Sequence, residues 1–308
     1  MRYLSLLPIF IAFALSVAAQ STLPSADQPQ PYQISVSLNL VALQATVRDR
    51  KGGFAADLTQ QDFQVFEDGI RQDIRLFRHE DVPVTVGLVV DHSGSMGKKL
   101  PQVIAAAQTF VQSSNPADQM FVVNFNEKVS LGLPASVPFS NRADELEAAI
   151  GQQSAAGETA LYDAISLALS RLKSGAGEKK VLIVISDGGD NASLLNLPGV
   201  LKLAGESNAV VYTIGIFEKD DPDKNPGVLR RLANATGGEA FFPEEFPEVV
   251  AICKLIASDI RHQYTIGYVS GNAARPAGYR TVRVVARSTG RNLDVRTRTT
   301  YFADEQIK

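Results

Sequence analysis

Two aspartates and three hydroxyl side chains stand at points in the sequence where they could form one binding site. Asp91, Ser93 and Ser95 alternate directly after an apolar run, and Asp187 ends a second such run. Thr159 lies between them, in a polar loop that leads into an amphipathic segment. All five offer hard oxygen atoms, the donors that suit Mg²⁺, Mn²⁺ or Ca²⁺ rather than zinc. The residue types therefore indicate a divalent metal site with oxygen ligands.

The apolar runs before these residues predict buried parallel strands, because strands covered on both faces are nearly continuous in apolar side chains. There are four such runs: residues 83–90, 120–125, 181–185 and 209–216. Helical periods separate them, for example at residues 100–111 and 161–172. The alternation predicts an α/β fold with a doubly wound, mostly parallel sheet and helices on both faces, of the Rossmann-like kind. Such sheets bind ligands at the carboxyl ends of their strands, so the five side chains are expected to converge there.

The segments on either side of this region have the period of two that is typical of strands. Residues 32–81 include an Asp68-Gly69 hairpin turn, and the alternation returns in residues 262–302 after a last helix at about 247–259. Neither segment is long enough to form a stable domain by itself. We therefore expect 32–81 and 262–302 to pair into one small all-β, sandwich-like module, with the α/β domain of residues 82–261 inserted between them.

Residues 1–19 have the features of a secretory signal peptide. Arg2 precedes a short apolar stretch, and small residues lead up to Ala19, where cleavage is expected. Residues 20–31, rich in Pro, Ser and Gln, are expected to form a flexible leader. The apolar stretch is too short for a typical membrane-spanning helix, and no later apolar stretch approaches the length that such a helix needs. No transmembrane segment is therefore expected after cleavage. The prediction is an exported protein, periplasmic or secreted.

The composition narrows the classes of function. The 308 residues include 30 basic and 33 acidic side chains, a net charge of −3, which argues against a dedicated nucleic-acid binder. Apolar residues make up 45% of the chain, as in globular proteins. The single cysteine, Cys253, excludes an intramolecular disulfide and a multi-cysteine zinc site. The three histidines are widely separated, so any metal site must use oxygen ligands.

The five oxygen-bearing residues closely resemble the metal-ion-dependent adhesion site of the von Willebrand factor type A (VWFA) domain. That pattern has Asp-x-Ser-x-Ser after the first strand, a threonine in a later loop and an aspartate after the fourth strand. This sequence fills all five positions in order, and the resemblance covers about residues 82–259. It implies that the five residues contact a divalent metal, Mg²⁺ in the first place, directly or through water. It also implies one coordination position open to a ligand, often a carboxylate from a partner protein.

The flanking segments resemble those of a bacterial, acidobacterial-type subgroup of VWFA-related proteins. In that subgroup a signal peptide and a β segment precede the domain. The matching residues here are Asp57-Leu58, residues 62–69 and Gln72.

Each residue of the candidate site also has a structural alternative. Asp91 could cap a helix, with Ser93 and Ser95 as ordinary loop residues. Thr159 could cap the helix that follows it, and Asp187 could close a turn. Their joint occurrence at predicted strand ends favours the metal site.

Other polar residues receive simpler interpretations. Glu158 and Asp190 stand near the candidate site and could support it, but they are interpreted more simply as solvated acids, and His92 as a surface residue. Residues 221–225 alternate like the start of a calcium-binding EF-hand loop, but the twelfth position is Leu232 rather than glutamate. No second metal site is therefore predicted there.

Three functions compete. The favoured one is an exported, non-enzymatic binding module that recognises a protein ligand through the metal. The second candidate is a Mg²⁺-dependent hydrolase with Asp91 as the nucleophile. Such an enzyme would need a second acid at position 93, where this chain has Ser93. The sequence also lacks a Walker-type phosphate loop and a Gly-x-Ser-x-Gly elbow. The third candidate is a structural envelope component in which the metal only stabilises the fold.

Overall fold

The computed structural model describes residues 40–217, 224–271 and 276–303. The predicted signal peptide, the leader and the strand pattern before Leu40 lie outside the described residues, as does most of the EF-hand-like segment. The strands are β1 (Leu40–Asp49), β2 (Phe63–Glu67), β3 (Ile70–Gln72), β4 (Ile74–Arg78), β5 (Val84–Asp91), β6 (Gln119–Phe125), β7 (Val129–Leu131), β8 (Lys179–Ser186), β9 (Ala209–Gly215), β10 (Ala240–Phe241), β11 (Tyr264–Val269), β12 (Gly278–Ala286), β13 (Leu293–Arg296) and β14 (Thr300–Ala303). The helices are α1 (Leu100–Gln112), α2 (Ala143–Gly151), α3 (Leu161–Leu172), α4 (Leu197–Glu206), α5 (Pro226–Thr236) and α6 (Phe246–Arg261).

A six-stranded sheet with the strand order β10-β9-β8-β5-β6-β7 forms the centre of the α/β part. Its neighbouring strands run parallel except for β7, which pairs antiparallel with β6. Every residue of β5 and of β9 is buried, which accounts for their continuous apolar sequences. The helices form two groups, with α1 against α2 and α6, and α3 and α5 each against α4. The predicted doubly wound sheet flanked by helices is confirmed.

Two four-stranded sheets are built from the flanking segments, and each of them contains strands from both ends of the chain. Their strand orders are β13-β1-β11-β4 and β14-β12-β2-β3. Leu43 of β1 lies opposite Ile266 of β11, and Val65 of β2 lies opposite Val284 of β12. These four side chains are buried in one apolar core between the sheets. The expected small all-β module therefore forms, and whether it folds as a domain apart from residues 82–261 stays a prediction.

The hairpin predicted at Asp68-Gly69 joins β2 to β3. Both turn residues have positive φ angles, 49° for Asp68 and 82° for Gly69, as the tight turn of a two-residue hairpin requires. The strand that follows, β4, pairs with β11 in the other sheet. The chain thus passes from one sheet of the module to the other immediately after this hairpin.

An ionic network centred on the buried Asp259 joins the module to the α/β part. The guanidinium of Arg296 in β13 and the hydroxyl of Tyr212 in β9 both donate to the Asp259 carboxylate of α6, the latter at 2.7 Å. Arg48 of β1 pairs with Glu239 at 3.2 Å, and Arg296 also lies 3.5 Å from Glu239. Because Arg48 also lies 4.0 Å from Asp259, the end of the last helix is tied to two strands of the module.

No helix within the described ranges is both long and apolar enough to cross a lipid bilayer.

Candidate metal centre

The two predicted carboxylates lie at the same edge of the central sheet. Asp91 is the last residue of β5, and Asp187 directly follows β8. These strands are parallel neighbours, with Val90 opposite Ile185, so their carboxyl ends meet. Asp91 is 0% exposed and Asp187 is 1% exposed. Asp91 and Asp187 are 96 positions apart in the sequence, yet both are buried at the ends of adjacent strands.

Asp91 has a hydrogen bond to each of its carboxylate oxygens. The backbone N–H of Ser93 donates to Oδ1 at 2.8 Å, and the hydroxyl of Ser186 donates to Oδ2 at 2.6 Å. Burial nevertheless raises the pKa of Asp91 to about 6, and the nearby Asp187 charge adds to this, against the opposing effect of the hydrogen bonds. The anion is therefore costly here, and a bound cation would offset that cost.

A chain of hydroxyl contacts leads from this first strand to the second aspartate. The hydroxyls of Ser93 and Ser95 are 3.1 Å apart, and that of Ser95 donates to Asp187 Oδ2 at 2.5 Å. The other oxygen of Asp187 accepts from the backbone N–H of Gly189 at 3.0 Å. Ser93 is buried while Ser95 is exposed, so the group opens to solvent at Ser95. Four of the five predicted residues are brought together.

Thr159 reaches this edge on a loop that is bonded to the loops on both sides. Its backbone N–H donates to the Asn191 side chain at 2.8 Å, and its carbonyl accepts from the N–H groups of Asn191 and Ala192. Two residues earlier, the carbonyl of Gly157 accepts from the N–H of Gly94 at 3.1 Å. Thr159 is buried, and among the described residues no hydrogen bond joins its hydroxyl to the other four side chains. The loop of Thr159 is thus bonded to the segments that follow Asp187 and carry Gly94, and no direct side-chain bond joins Thr159 to the group.

The helix after Thr159 is capped from another loop. The residue before α3 is Ala160, so Thr159 does not cap this helix. Instead Asp190 and Ser193 accept from the N–H of Tyr162, both at 3.1 Å. The prediction that Asp190 is a solvated acid is wrong, because the carboxylate is half-buried and burial raises its pKa. A cap supplied from 28 residues away leaves no local sequence signal.

His92 is also buried, contrary to the expectation of a surface residue. Its ring is 0% exposed, and its Nε2 lies 3.1 Å from the side-chain oxygen of Asn124 in β6. Asn124 in turn donates to the carbonyl of Ala149 in α2 at 2.7 Å. Burial lowers the pKa of His92, so the neutral ring is favoured. His92 therefore ties the end of β5 to β6.

Sequence reasoning missed two residues that support the site. Ser186 holds Asp91, and Asn191 holds Thr159. Ser186 carried a signal, because it is a polar residue at the end of an otherwise apolar buried strand. Asn191 carried none, since its contact is set by the meeting of two loops. Ser186 and Asn191 hold predicted metal ligands in place and are not themselves among the five.

The donor set fits a hard divalent cation. In the part of the chain that the structure describes, no cluster of three or more His, Cys, Asp or Glu side chains could hold a metal. A metal at this edge would therefore depend on the hydroxyls as well as on Asp91 and Asp187. Carboxylate and hydroxyl oxygens are ligands typical of Mg²⁺, Mn²⁺ and Ca²⁺ and not of softer ions.

Fold and site together define a class: a doubly wound α/β domain with oxygen donors grouped at the carboxyl ends of two adjacent parallel strands. The family model for the von Willebrand factor type A domain matches residues 85–254, more than half of the chain. The chain belongs to the von Willebrand factor type A domain family.

Solved structures of bacterial proteins are similar in fold. A von Willebrand factor type A protein from Catenulispora acidiphila is 14% identical, with a TM-score of 0.51 over 85% of this chain and 74% of that one. The vWF domain of the type V pili tip protein Mfa5 from Porphyromonas gingivalis is 15% identical, with a TM-score of 0.49 over 58% of this chain and 95% of that one. At 14% identity the likeness to the Catenulispora acidiphila structure concerns the fold alone.

Proposed function

We propose that the chain is an exported, non-enzymatic binding module that recognises a protein ligand through a divalent metal. The ligands to the metal are Asp91, Ser93, Ser95, Thr159 and Asp187. One observation carries the proposal: the continuous contact from Ser93 through Ser95 to Asp187, with the buried Asp91 behind it. Membership of the family supports it, because type A domains are generally binding modules.

The charge balance of the donors favours an anionic ligand. Asp91 and Asp187 supply two formal negative charges, and the three hydroxyls are neutral. A bound Mg²⁺, or alternatively Mn²⁺ or Ca²⁺, would be a positive charge to which one more oxygen could coordinate at this edge. A carboxylate presented by the partner protein matches that acceptor, and the exposed side of Ser95 is where it would enter.

The geometry disfavours the alternative of a hydrolase with Asp91 as the nucleophile. The carboxylate is fully buried, and both of its oxygens already accept hydrogen bonds from Ser93 and Ser186. The histidine beside it, His92, pairs with Asn124 rather than with either serine of the site, so it is not placed as their general base. Binding is thus better supported than catalysis.

Two parts of this proposal rest on the sequence alone. Export to the periplasm or to the outside of the cell is inferred from the signal-peptide features of residues 1–19. Membership of the acidobacterial-type subgroup is inferred from the match in residues 57–72 and stays a prediction.

Calorimetric titration with Mg²⁺ and with Mn²⁺ tests the proposal. We compare the wild type with Ser95→Ala, which removes an exposed donor without opening a cavity, and with Ser154→Ala, an exposed serine outside the donor set. The expected result is saturable binding that weakens by about tenfold or more in Ser95→Ala and is unchanged in Ser154→Ala. Equal binding by all three proteins, or no binding to the wild type, would contradict the proposed metal site.

A further inference from the structure

A small cavity lies at the junction between the all-β module and the α/β part. The module lines it with Gln44 of β1 and with Arg298, which lies between β13 and β14. The α/β part contributes Glu178, Asn208 and Val210, among others. The cavity volume is about 100 Å³, room for about three water molecules. A ligand of the size of a nucleotide or a sugar therefore does not fit.

The cavity has an exposed mouth and a buried wall. Glu178 and Asn208 are exposed, and Gln44 is half-buried. Val210 and Arg298 are buried, with exposed fractions of 2% and 7%. A small solute can therefore enter from the solvent, and the buried wall that it meets includes a positively charged side chain.

The charge of Arg298 is only partly compensated within the protein. Its guanidinium donates to the carbonyl oxygens of Gly205 at 3.4 Å and of Ser207 at 2.5 Å, at the C-terminal end of α4. The dipole of a helix supplies about half a negative charge at that end. In the part of the chain that the structure describes, no carboxylate forms an ion pair with Arg298, and burial lowers its pKa. A buried cation without a full counter-charge is costly, and an anion beside it would offset that cost.

Uncharged N–H groups accompany this cation. The side-chain oxygen of Gln44 accepts from the Thr265 hydroxyl at 3.0 Å, and no described residue accepts a hydrogen bond from its amide N–H groups. The Asn208 amide is also without a partner among the described residues. The acid at the mouth, Glu178, is 63% exposed and pairs with Arg78 at 3.1 Å, so its repulsion of an anion is weakened by that pair and by water. The lining thus combines a cation with amide donors, as anion sites do.

We infer that this cavity binds a small monovalent anion, a halide or a short carboxylate, against Arg298. The site is separate from the candidate metal centre, because Glu178 and Asn208 directly precede β8 and β9, whereas the metal donors lie at the opposite, carboxyl ends of the strands. Since both the module and the α/β part line the cavity, a bound anion would also connect them.

Chloride is the first probe. Its NMR line width is measured with the full chain in EDTA, so that no metal contributes to binding. The expected result is saturable broadening that acetate reverses by competition. Citrate, which is too large for the cavity, should not reverse it at the same concentration.

Variants of the lining test where the anion binds without replacing Arg298, which also holds the end of α4. Gln44→Glu places a negative charge inside the cavity and should weaken chloride binding by about tenfold or more. Gln64→Glu makes the same change at a half-buried glutamine of β2 outside the lining and should bind as the wild type does. Asn208→Asp adds the charge at the exposed mouth, where folding is not at risk, and should weaken binding less than Gln44→Glu does.

Three results would overturn the anion site. The first is the absence of saturable broadening in the wild type. The second is wild-type affinity in both Gln44→Glu and Asn208→Asp. The third is displacement of chloride by citrate as effectively as by acetate, which would assign the binding to the open surface.

Discussion

Ser95 and Asp187 are 92 residues apart in the chain, and the Ser95 hydroxyl donates a 2.5 Å hydrogen bond to the Asp187 carboxylate. The contact spans the ends of β5 and β8, the two strands at the centre of the sheet. Because both residues follow rigid, buried strands, the oxygen atoms are held in place before any ligand arrives. Such preorganisation lowers the cost of assembling a binding site.

Chelation of the metal is expected to leave the fold intact. The central sheet and its helices form an apolar core beneath the site that does not include the five donors. We therefore expect EDTA to leave the far-UV circular dichroism spectrum unchanged, while Mg²⁺ at 100 times its Kd raises the free energy of unfolding by about 2.7 kcal/mol. In Ser95→Ala the same Mg²⁺ concentration is only about ten times the weakened Kd, so the gain should fall to about 1.4 kcal/mol or less. Unfolding on chelation would instead favour a structural role for the metal.

Removal of the Glu67 carboxylate is expected to destabilise the all-β module strongly. Glu67 is fully buried and accepts hydrogen bonds from Tyr268 at 2.9 Å, Tyr301 at 2.8 Å and Ser270 at 2.6 Å. Glu67→Ala leaves these hydroxyls without their acceptor in a buried site and opens a cavity, which we expect to cost about 3 kcal/mol or more. Denaturant unfolding measures the change.

An exposed acid of the same module provides the control for Glu67. The Asp73 side chain is largely exposed, so Asp73→Ala should leave the denaturation midpoint almost unchanged. If Glu67→Ala were equally harmless, the buried hydroxyl cluster would contribute no stability to the module.

Asp259 is expected to be essential for the junction between the module and the α/β part. It is buried and accepts from Tyr212 and from Arg296. Asp259→Ala leaves the Arg296 guanidinium without this partner in a mostly buried place, and loss of one partner of a buried pair costs about 3 to 5 kcal/mol. Thermal unfolding should show a lower Tm. The exposed pair of Arg142 and Asp144 offers the comparison, since Asp144→Ala should not shift the Tm measurably.

Because of Lys179, we expect the free energy of unfolding to rise with pH in the mildly alkaline range. Its ammonium group is buried and donates to the carbonyls of Ile260 and Gln263 at 3.3 and 3.4 Å. Burial, with a smaller effect of the Arg261 charge, lowers the pKa of Lys179 from 10.5 to about 8. Between these values the unfolded chain binds more protons than the folded protein, so the free energy of unfolding increases from pH 8 towards pH 10.

The pH effect expected from Lys179 is modest and specific to this residue. The contribution is at most about 2 kcal/mol over the two pH units. It should be absent in Lys179→Met and retained in Lys173→Met, which replaces an exposed lysine. The measurement should stop near pH 10, because burial raises the pKa of several tyrosines, Tyr264 and Tyr301 among them, and their titration acts in the opposite direction. Identical slopes for wild type and Lys179→Met would contradict the assignment.

The strand ends and the donors on them could be predicted from the sequence for a local reason. Buried parallel strands are continuous apolar runs, so the positions of Asp91 and Asp187 at the ends of β5 and β8 follow from the order of residues alone. The hairpin at Asp68-Gly69 was equally accessible, because positive φ angles favour a small set of residue types. The pairing of the two flanks followed from their strand patterns and their short lengths.

Other features depended on contacts between residues far apart in the chain, which no local pattern encodes. The burial of His92, the cap that Asp190 supplies to α3 and the hold of Ser186 on Asp91 all arise where separate elements meet. The exposure of Leu194 is likewise a tertiary property, because its sequence neighbours do not show whether an apolar side chain finds a surface to cover it. The sequence by itself determined the donor types and the strands that carry them. Only the packing of the sheet and its loops decided which side chains support these oxygen atoms and which are exposed to solvent.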